Sequence, residues 1–442
     1  MGAGPARSIF ASVQVVALFM LLTLHPVSGL TEIGELVEVG DMVTARYNHT
    51  ADLLSDGKVL VCGGTLDGET PIPDAEVFDP DSGTWERGAS MTECRMRHAT
   101  ALLDGRVIAA GGYRGPPGAH PSLLADYYNK GAVSSSSCEI YDPSIDEWSA
   151  GPPLITGRFW HSIVPLPSGG LLAIGGLNVS TGALSSCEIL EEGGMEWVAG
   201  PAMNHARARF TATVLPNGSI LVTGGHDGTD KTGSASCELY VPSEGVWVEV
   251  ADMNKGRGYH AASLLHDGRV IVTGGFSFPT EPDHSDGEIY DPKEDSWTLV
   301  GEMSFPRHNH DSVVFDDGAV VVIGGSNCAT GGCHSTFDLY DTGSGEWKDT
   351  GVLNLGRKWT TVTRLDDTRV LIAGGKTCDA PSDFSEVYVY DQGGGGENDT
   401  PFPALYLLIA APSSFLIVHR LFAPRERTPL RNVRTPETGR AG

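Results

Sequence analysis

The chain has 442 residues, a net charge of −26, 40% hydrophobic residues and 57 glycines. Arg7 at the front, and six Arg against two Glu after residue 401, leave the middle, Leu30 to Pro401, at −31. Such a surface repels phosphate backbones and excludes nucleic acid as a partner, while abundant glycine with ample apolar content reads as many short strands joined by tight turns.

In chain order, residues 1–29 read as a signal peptide. Arg7 precedes the apolar run Val13 to Leu22, and Val27-Ser28-Gly29 offers a small-residue cleavage site before Leu30. The expected location is therefore the secretory pathway, with the mature protein secreted or held at the cell surface.

From Leu30 to Asp391 a Gly-Gly dipeptide organises the chain. It occurs at Gly63-Gly64, Gly111-Gly112, Gly175-Gly176, Gly224-Gly225, Gly274-Gly275, Gly324-Gly325 and Gly374-Gly375, with spacings of 48, 64, 49, 50, 50 and 50. Seven units at that period predict a repeat architecture of four strands each. Strand a is alternating and apolar, as in His260 to Leu265. A turn follows, usually Asp-Gly, as at Asp56-Gly57, Asp104-Gly105, Asp267-Gly268 and Asp317-Gly318. That dipeptide predicts a type I′ hairpin. Strand b runs into the Gly pair. Strand c carries motifs such as Glu139-Ile140-Tyr141-Asp142, and strand d opens at Trp85, Trp148, Trp197, Trp247, Trp297 and Trp347. The seventh unit stops at Tyr390-Asp391 without a Trp strand. Leu36 to Met42 matches Trp297 to Met303 in spacing, so the mature N-terminus is expected to supply the missing strand and close the ring.

An Arg lies three residues before the His position in every unit: Arg46, Arg95, Arg158, Arg207, Arg257, Arg307 and Arg357. Their recurrence admits two readings. Either they tie down their own inter-blade loops, or they form a ring of guanidinium groups at one channel mouth that holds anionic groups. His recurs at His49, His98, His161, His260 and His310, with Phe210 and Thr360 in the other units. That tolerance favours packing over metal binding.

Taken together, Arg-x-x-His, Leu-Leu-x-Asp-Gly-x-Val, Gly-Gly, Tyr-Asp and Trp resemble kelch repeats in the style of the galactose-oxidase central propeller. The resemblance spans Gly34 to about Gln392 and implies an all-β, seven-bladed kelch-type β-propeller over residues 30–391. It implies little about activity, because propellers host many functions. Arg257-Gly-Tyr259-His260 resembles the Tyr-His copper ligands of galactose-oxidase-like radical enzymes. The thiol those enzymes cross-link to a tyrosine has no counterpart four residues after any repeat His. The expectation is therefore a binding module without catalysis, metal or cofactor. It would engage a protein or glycan through the face of the d–a and b–c loops, using the seven Arg together with Tyr127 and Tyr128 of the long insertion. A copper radical oxidase, or another propeller enzyme, is the alternative.

Cys138, Cys187 and Cys237 hold one place in three successive repeats and read as buried free thiols. Cys328 and Cys333 share one loop and are expected to pair, with Cys378 as a rival partner for Cys328. Sequons at Asn178, Asn217 and Asn398 read as accessible glycosylation sites. Residues 392–401 form a Gly-rich linker. Residues 402–418 are uncharged and mostly apolar, a candidate single membrane-spanning helix, with the basic tail 419–442 on the cytoplasmic side.

Overall fold

The computed structural model describes residues 34–114, 133–228, 232–277 and 282–390. The expected leader, linker, membrane helix and tail lie outside them, as do Tyr127, Tyr128 and Asn398. Among the described residues no helix is long and apolar enough to cross a membrane.

Seven four-stranded antiparallel sheets are arranged as blades. Blade four shows the common plan. Strand a, Thr211–Val214, pairs with b, Ile220–Thr223; b pairs with c, Cys237–Val241; and c pairs with d, Val246–Val250. The seven a strands meet their neighbours around a ring, blade seven touching blade one. The last blade is closed as expected. Gly34–Glu38 pairs antiparallel with Ser385–Tyr390 in the register Leu36↔Tyr388, so chain start and chain end share one sheet. That pairing covers the sheet edge that a three-stranded last blade would expose.

The b strands are the apolar centre of every blade; Val59–Cys62, Leu171–Ile174 and Val320–Ile323 are buried at every position. Both faces of b pack against neighbouring blades, which explains a continuous hydrophobic run in place of alternation. Each strand-c aromatic lies opposite the strand-d Trp, as in Tyr240↔Trp247 with ring centroids 5.2 Å apart. The indole then donates to the preceding blade: Trp148 to Ala89 O at 2.8 Å and Trp247 to Pro201 O at 3.0 Å.

The Gly pairs mark where blades touch. A Cβ on Gly224 would lie 2.4 Å from Arg257 O and 2.9 Å from the His260 ring of the next blade. Strand-a histidines occupy that space and tie blades together, His260 Nε2 reaching Thr223 Oγ1 at 3.0 Å and His310 Nε2 reaching Thr273 Oγ1 at 2.9 Å.

The hairpin expectation needs correction. Of the four Asp-Gly turns, only Asp104-Gly105 has both residues at positive φ. At Asp56-Gly57 the Gly alone does, and Gly57 N donates to Leu54 O at 3.0 Å. The strands are joined there by a turn ending in a left-handed Gly. Asp56 Oδ1 accepts Lys58 N–H, which holds the Asp on the right-handed side.

Candidate functional site

Bridges such as Tyr47↔Thr65 and His308↔Ser326 set each d–a loop beside the b–c loop of its own blade. Both loop types therefore share one face.

The seven Arg begin the a strands on this face, but all are buried to within 1%. Arg207 is typical. Nη1 donates to Gly224 O at 2.8 Å and Ser236 O at 2.9 Å; Nη2 donates to Glu238 Oε1 at 2.7 Å. Glu238 also accepts the d–a loop amides of Asn204 at 2.6 Å and His205 at 3.1 Å. The same latch joins Arg46 to Glu76, Arg95 to Glu139, Arg158 to Glu188, Arg257 to Glu288 and Arg357 to Glu386, with Asp338 serving Arg307. The expected guanidinium ring for a partner is thus not presented. Each charge is used inside its own blade, because a buried guanidinium needs its donors and charge satisfied there.

What lines the mouth is the residue two places after each Arg. Asn48, Arg97, Trp160, Arg209, Tyr259, Asn309 and Trp359 all have φ between 52° and 58°. Successive members are joined by backbone hydrogen bonds, as in Trp160 N to Arg97 O at 2.9 Å and Asn309 N to Tyr259 O at 3.0 Å. Non-glycine residues held in this region are costly and gather at functional sites. The Arg209 guanidinium carbon lies 3.1 Å from the Trp160 ring centroid and 3.9 Å from that of Tyr259. The result is a cup of about 290 Å³ at the channel mouth. A recess of about 360 Å³ lies instead on the tight-turn face, between Asn217 and Lys293. It gathers none of the histidines, thiols or mouth aromatics.

Beside the cup, at the seam of blades five and six, Asp283, His308 and Cys328 bring ligand atoms within 4.8 Å of one another. Asp283 comes from the b–c loop of blade five; His308 and Cys328 come from the d–a and b–c loops of blade six. Asp283 and His308 are buried and Cys328 is exposed. His308 Nε2 lies 3.1 Å from Ser326 Oγ, and Nδ1 lies 3.0 Å from Asp283 Oδ1. That oxygen is buried and makes no hydrogen bond of proper direction, whereas Oδ2 accepts Cys328 N–H. Cys328 Sγ sits 3.9 Å from both ring nitrogens. Metal–nitrogen and metal–oxygen distances of about 2.0 Å and metal–sulfur of about 2.3 Å put tetrahedral donors ~3.3–3.5 Å apart; the observed 3.0 and 3.9 Å bracket that range, so small side-chain shifts would bring the donors to the spacing of one ion. Burial pushes the Asp283 carboxyl up, but His308 and the Cys328 amide outweigh it and hold it below the ordinary value. The His308 ring packs 5.1 Å from Phe276, which stacks 4.9 Å from Tyr259 of the cup.

The expected pairing of Cys328 with Cys333 does not match this geometry. The Cys328 sulfur faces His308, while Cys333 N lies 3.0 Å from Cys378 Sγ. Cys138, Cys187 and Cys237 are buried, and burial pushes their thiols up to about 11, 11 and 12. Asn217 is exposed. Asn178 is half-buried, its amide nitrogen donating to Gly157 O at 2.7 Å.

The tyrosine–histidine copper set does not fit. His260 Nε2 is taken by Thr211 at 3.1 Å and Thr223, and the Tyr259 ring is stacked on Phe276. Among the described residues no cysteine lines the cup.

A family profile described as "Kelch motif" matches residues 46–92, 94–155, 207–254 and 257–304. Human "Kelch-like protein 25" is 28% identical over 123 residues, 28% of this chain and 20% of that protein. "Beta-scruin" of Limulus polyphemus is 24% identical over 161 residues, 36% of this chain and 16% of that one. The alignment to these curated relatives therefore spans about a fifth of their length or less. Among solved structures, one described as "Novel fungal alcohol oxidase with catalytic diversity among the AA5 family, in complex with copper" superimposes with a TM-score of 0.64 at 16% identity. It covers 81% of this chain and 76% of that one. "Structure of YjhT" superimposes at 0.53 and 13% identity, covering 70% and 99%. These likenesses are of fold. With the Asp283–His308–Cys328 cluster, the fold shared with a copper-bound oxidase overturns the expectation of a chain without catalysis.

Proposed function

As a member of the kelch-repeat β-propeller family, this chain shares a scaffold whose chemistry resides in its loops, and we propose that it is a metal-dependent enzyme acting on the d–a and b–c loop face. One observation carries the reading: three donors of different chemistry, drawn from three loops on two blades, converge within 4.8 Å. A thiolate, an imidazole and a carboxylate suit copper or zinc. Three protein donors leave a coordination position open, the arrangement of catalytic sites. The copper of the fungal alcohol oxidase belongs to that protein, and it supports copper here only through the shared fold.

A bound metal would supply Lewis-acid or one-electron chemistry. The chain's own residues hold and orient it. Ser326 fixes one imidazole nitrogen and so turns the other towards Asp283, and the Cys328 amide fixes the second carboxylate oxygen. The cup supplies a place for a small polar organic substrate against Trp160, Tyr259 and Trp359, with Arg97, Asn48 and Asn309 to orient it. The same aromatic and Arg lining favours a second reading, recognition of a protein or glycan at the cup. The leader-like start supports placement in the secretory pathway, at the cell surface or beyond.

The full chain, loaded with Cu(II) or Zn(II) and desalted, is expected to retain one equivalent of metal. His308→Ala and Cys328→Ser are expected to lose it while melting like the parent. Copper-loaded protein is then assayed for peroxide release from primary alcohols. No stoichiometric metal in the parent, or full retention in His308→Ala, refutes the reading.

A further inference from the structure

Blades five, six and seven repeat at a spacing of 50 residues, so each seam position has a counterpart 50 places on. Asp283 corresponds to Cys333, His308 to Lys358 and Cys328 to Cys378. The two seams make the same contact with different chemistry. At the first, the b–c loop of blade six reaches back to a carboxylate 45 residues earlier, Cys328 to Asp283. At the second, the b–c loop of blade seven reaches back to a thiol 45 residues earlier, Cys378 to Cys333.

The geometry points to a disulfide between Cys333 and Cys378 that clips the b–c loops of blades six and seven together and leaves Cys328 outside the link. Cys333 N–H meets Cys378 Sγ at 3.0 Å, and Cys378 Sγ lies 3.6 Å from Gly331 O, within the loop that carries Cys333. Cys333 is anchored by its bridge to Ser326, and its sulfur points across the seam to Lys376 O at 3.7 Å. The bonds Asn327 N to Gly332 O and Gly331 N to Asn327 O close a tight turn over 327–332. Cys328 lies inside that turn with its sulfur 3.9 Å from both ring nitrogens of His308, at the first seam. Burial and the neighbouring Cys378 sulfur push the Cys333 thiol up, against the opposing charges of Lys358 and Lys376. Oxidation therefore begins at the exposed Cys378.

The step balances with a disulfide oxidant, such as an oxidised thiol–disulfide oxidoreductase or glutathione disulfide. The Cys378 thiolate attacks one sulfur of the oxidant and displaces a thiolate. Cys333 loses its proton and attacks the Cys378 sulfur, releasing the second thiolate. Two thiols lose two protons and two electrons, and the oxidant is reduced to two thiols. The pairing stands on the sulfur geometry alone. Its consequence, that the clip keeps Cys328 available to the metal, rests on the function proposed above.

The full chain is secreted from cultured cells, blocked with iodoacetamide and digested without reduction. The expected map contains one linked peptide pair, Cys333–Cys378. The exposed Cys94 and Cys328 are alkylated in the native protein, and the buried Cys62, Cys138, Cys187 and Cys237 only after denaturation. Cys328→Ser is expected to leave the link intact. Cys328 linked to either rival, or Cys333 and Cys378 both recovered alkylated, overturns the inference. A parallel sample with one equivalent of Zn(II) separates the two readings. Protection of Cys328 from alkylation supports the metal site, whereas a linked pair with Cys328 unprotected keeps the disulfide and refutes the metal.

Discussion

Replacing Arg207 with Ala is expected to destabilise the ring far more than removal of a surface ion pair. Arg207 is 1% exposed and its partner Glu238 is fully buried. Truncation leaves Glu238 charged without its cation, and strips Gly224 O, Ser236 O and Ser236 Oγ of their donors, formerly at 2.8, 2.9 and 3.1 Å. Breaking a buried pair by removing one partner costs about 3–5 kcal/mol. At ~2–4 °C per kcal/mol for a large domain, the melting temperature should fall by roughly 6–20 °C. Arg207→Ala combined with Glu238→Gln should recover part of that loss, because no uncompensated charge remains. Thermal unfolding of the full chain followed by circular dichroism measures both. If Arg207→Ala melts within a degree of the parent, the latch is not what holds the d–a loop. If the double variant is no better than the single, the cost is not electrostatic.

Two further outcomes are expected. Burial first, and the adjacent Arg charge second, push His49 and His260 down to about 3 and hold His98, His161 and His310 well below the ordinary value. The unfolded chain then binds more protons below pH ~6.5, so this contribution is complete above that pH and is lost progressively as pH falls towards 3. Burial raises Asp52 and Asp311 to about 6, with the opposite sign: their stabilisation is present below ~4 and lost as pH rises through 6. Burial lowers His284 and His334 in the same way and raises Asp41 and Glu386, so seven groups oppose four and the urea midpoint should fall between pH 7 and pH 5; a constant or rising midpoint contradicts the assignment. Deleting Gly34–Glu38 removes the ladder from Gly34↔Tyr390 to Glu38↔Glu386. Amide exchange over Ser385–Tyr390 should then accelerate sharply, and parent-like protection there would disprove the closure.

Repeat number, the order of strands in a blade and the closing strand were legible in the sequence. Gly-Gly recurs because each pair must admit the next blade's Arg carbonyl and strand-a side chain, as Gly224 admits Arg257 O and His260. Leu36 could be matched to a missing strand because closure leaves a countable vacancy in a periodic pattern. Local periodicity records what every blade must do. The seven Arg were legible as a recurring set, but not their burial. Whether a guanidinium faces a partner or a strand-c carboxylate depends on how a loop folds back over its blade. Tertiary structure alone decided the seams. Asp283, His308 and Cys328 come from three loops with no shared spacing, and become neighbours only when blade six stacks against blade five. The same stacking, one blade on, brings the Cys378 sulfur to the Cys333 amide. Loops that cross a seam obey the angle between rigid blades, and a one-dimensional repeat carries no record of that angle.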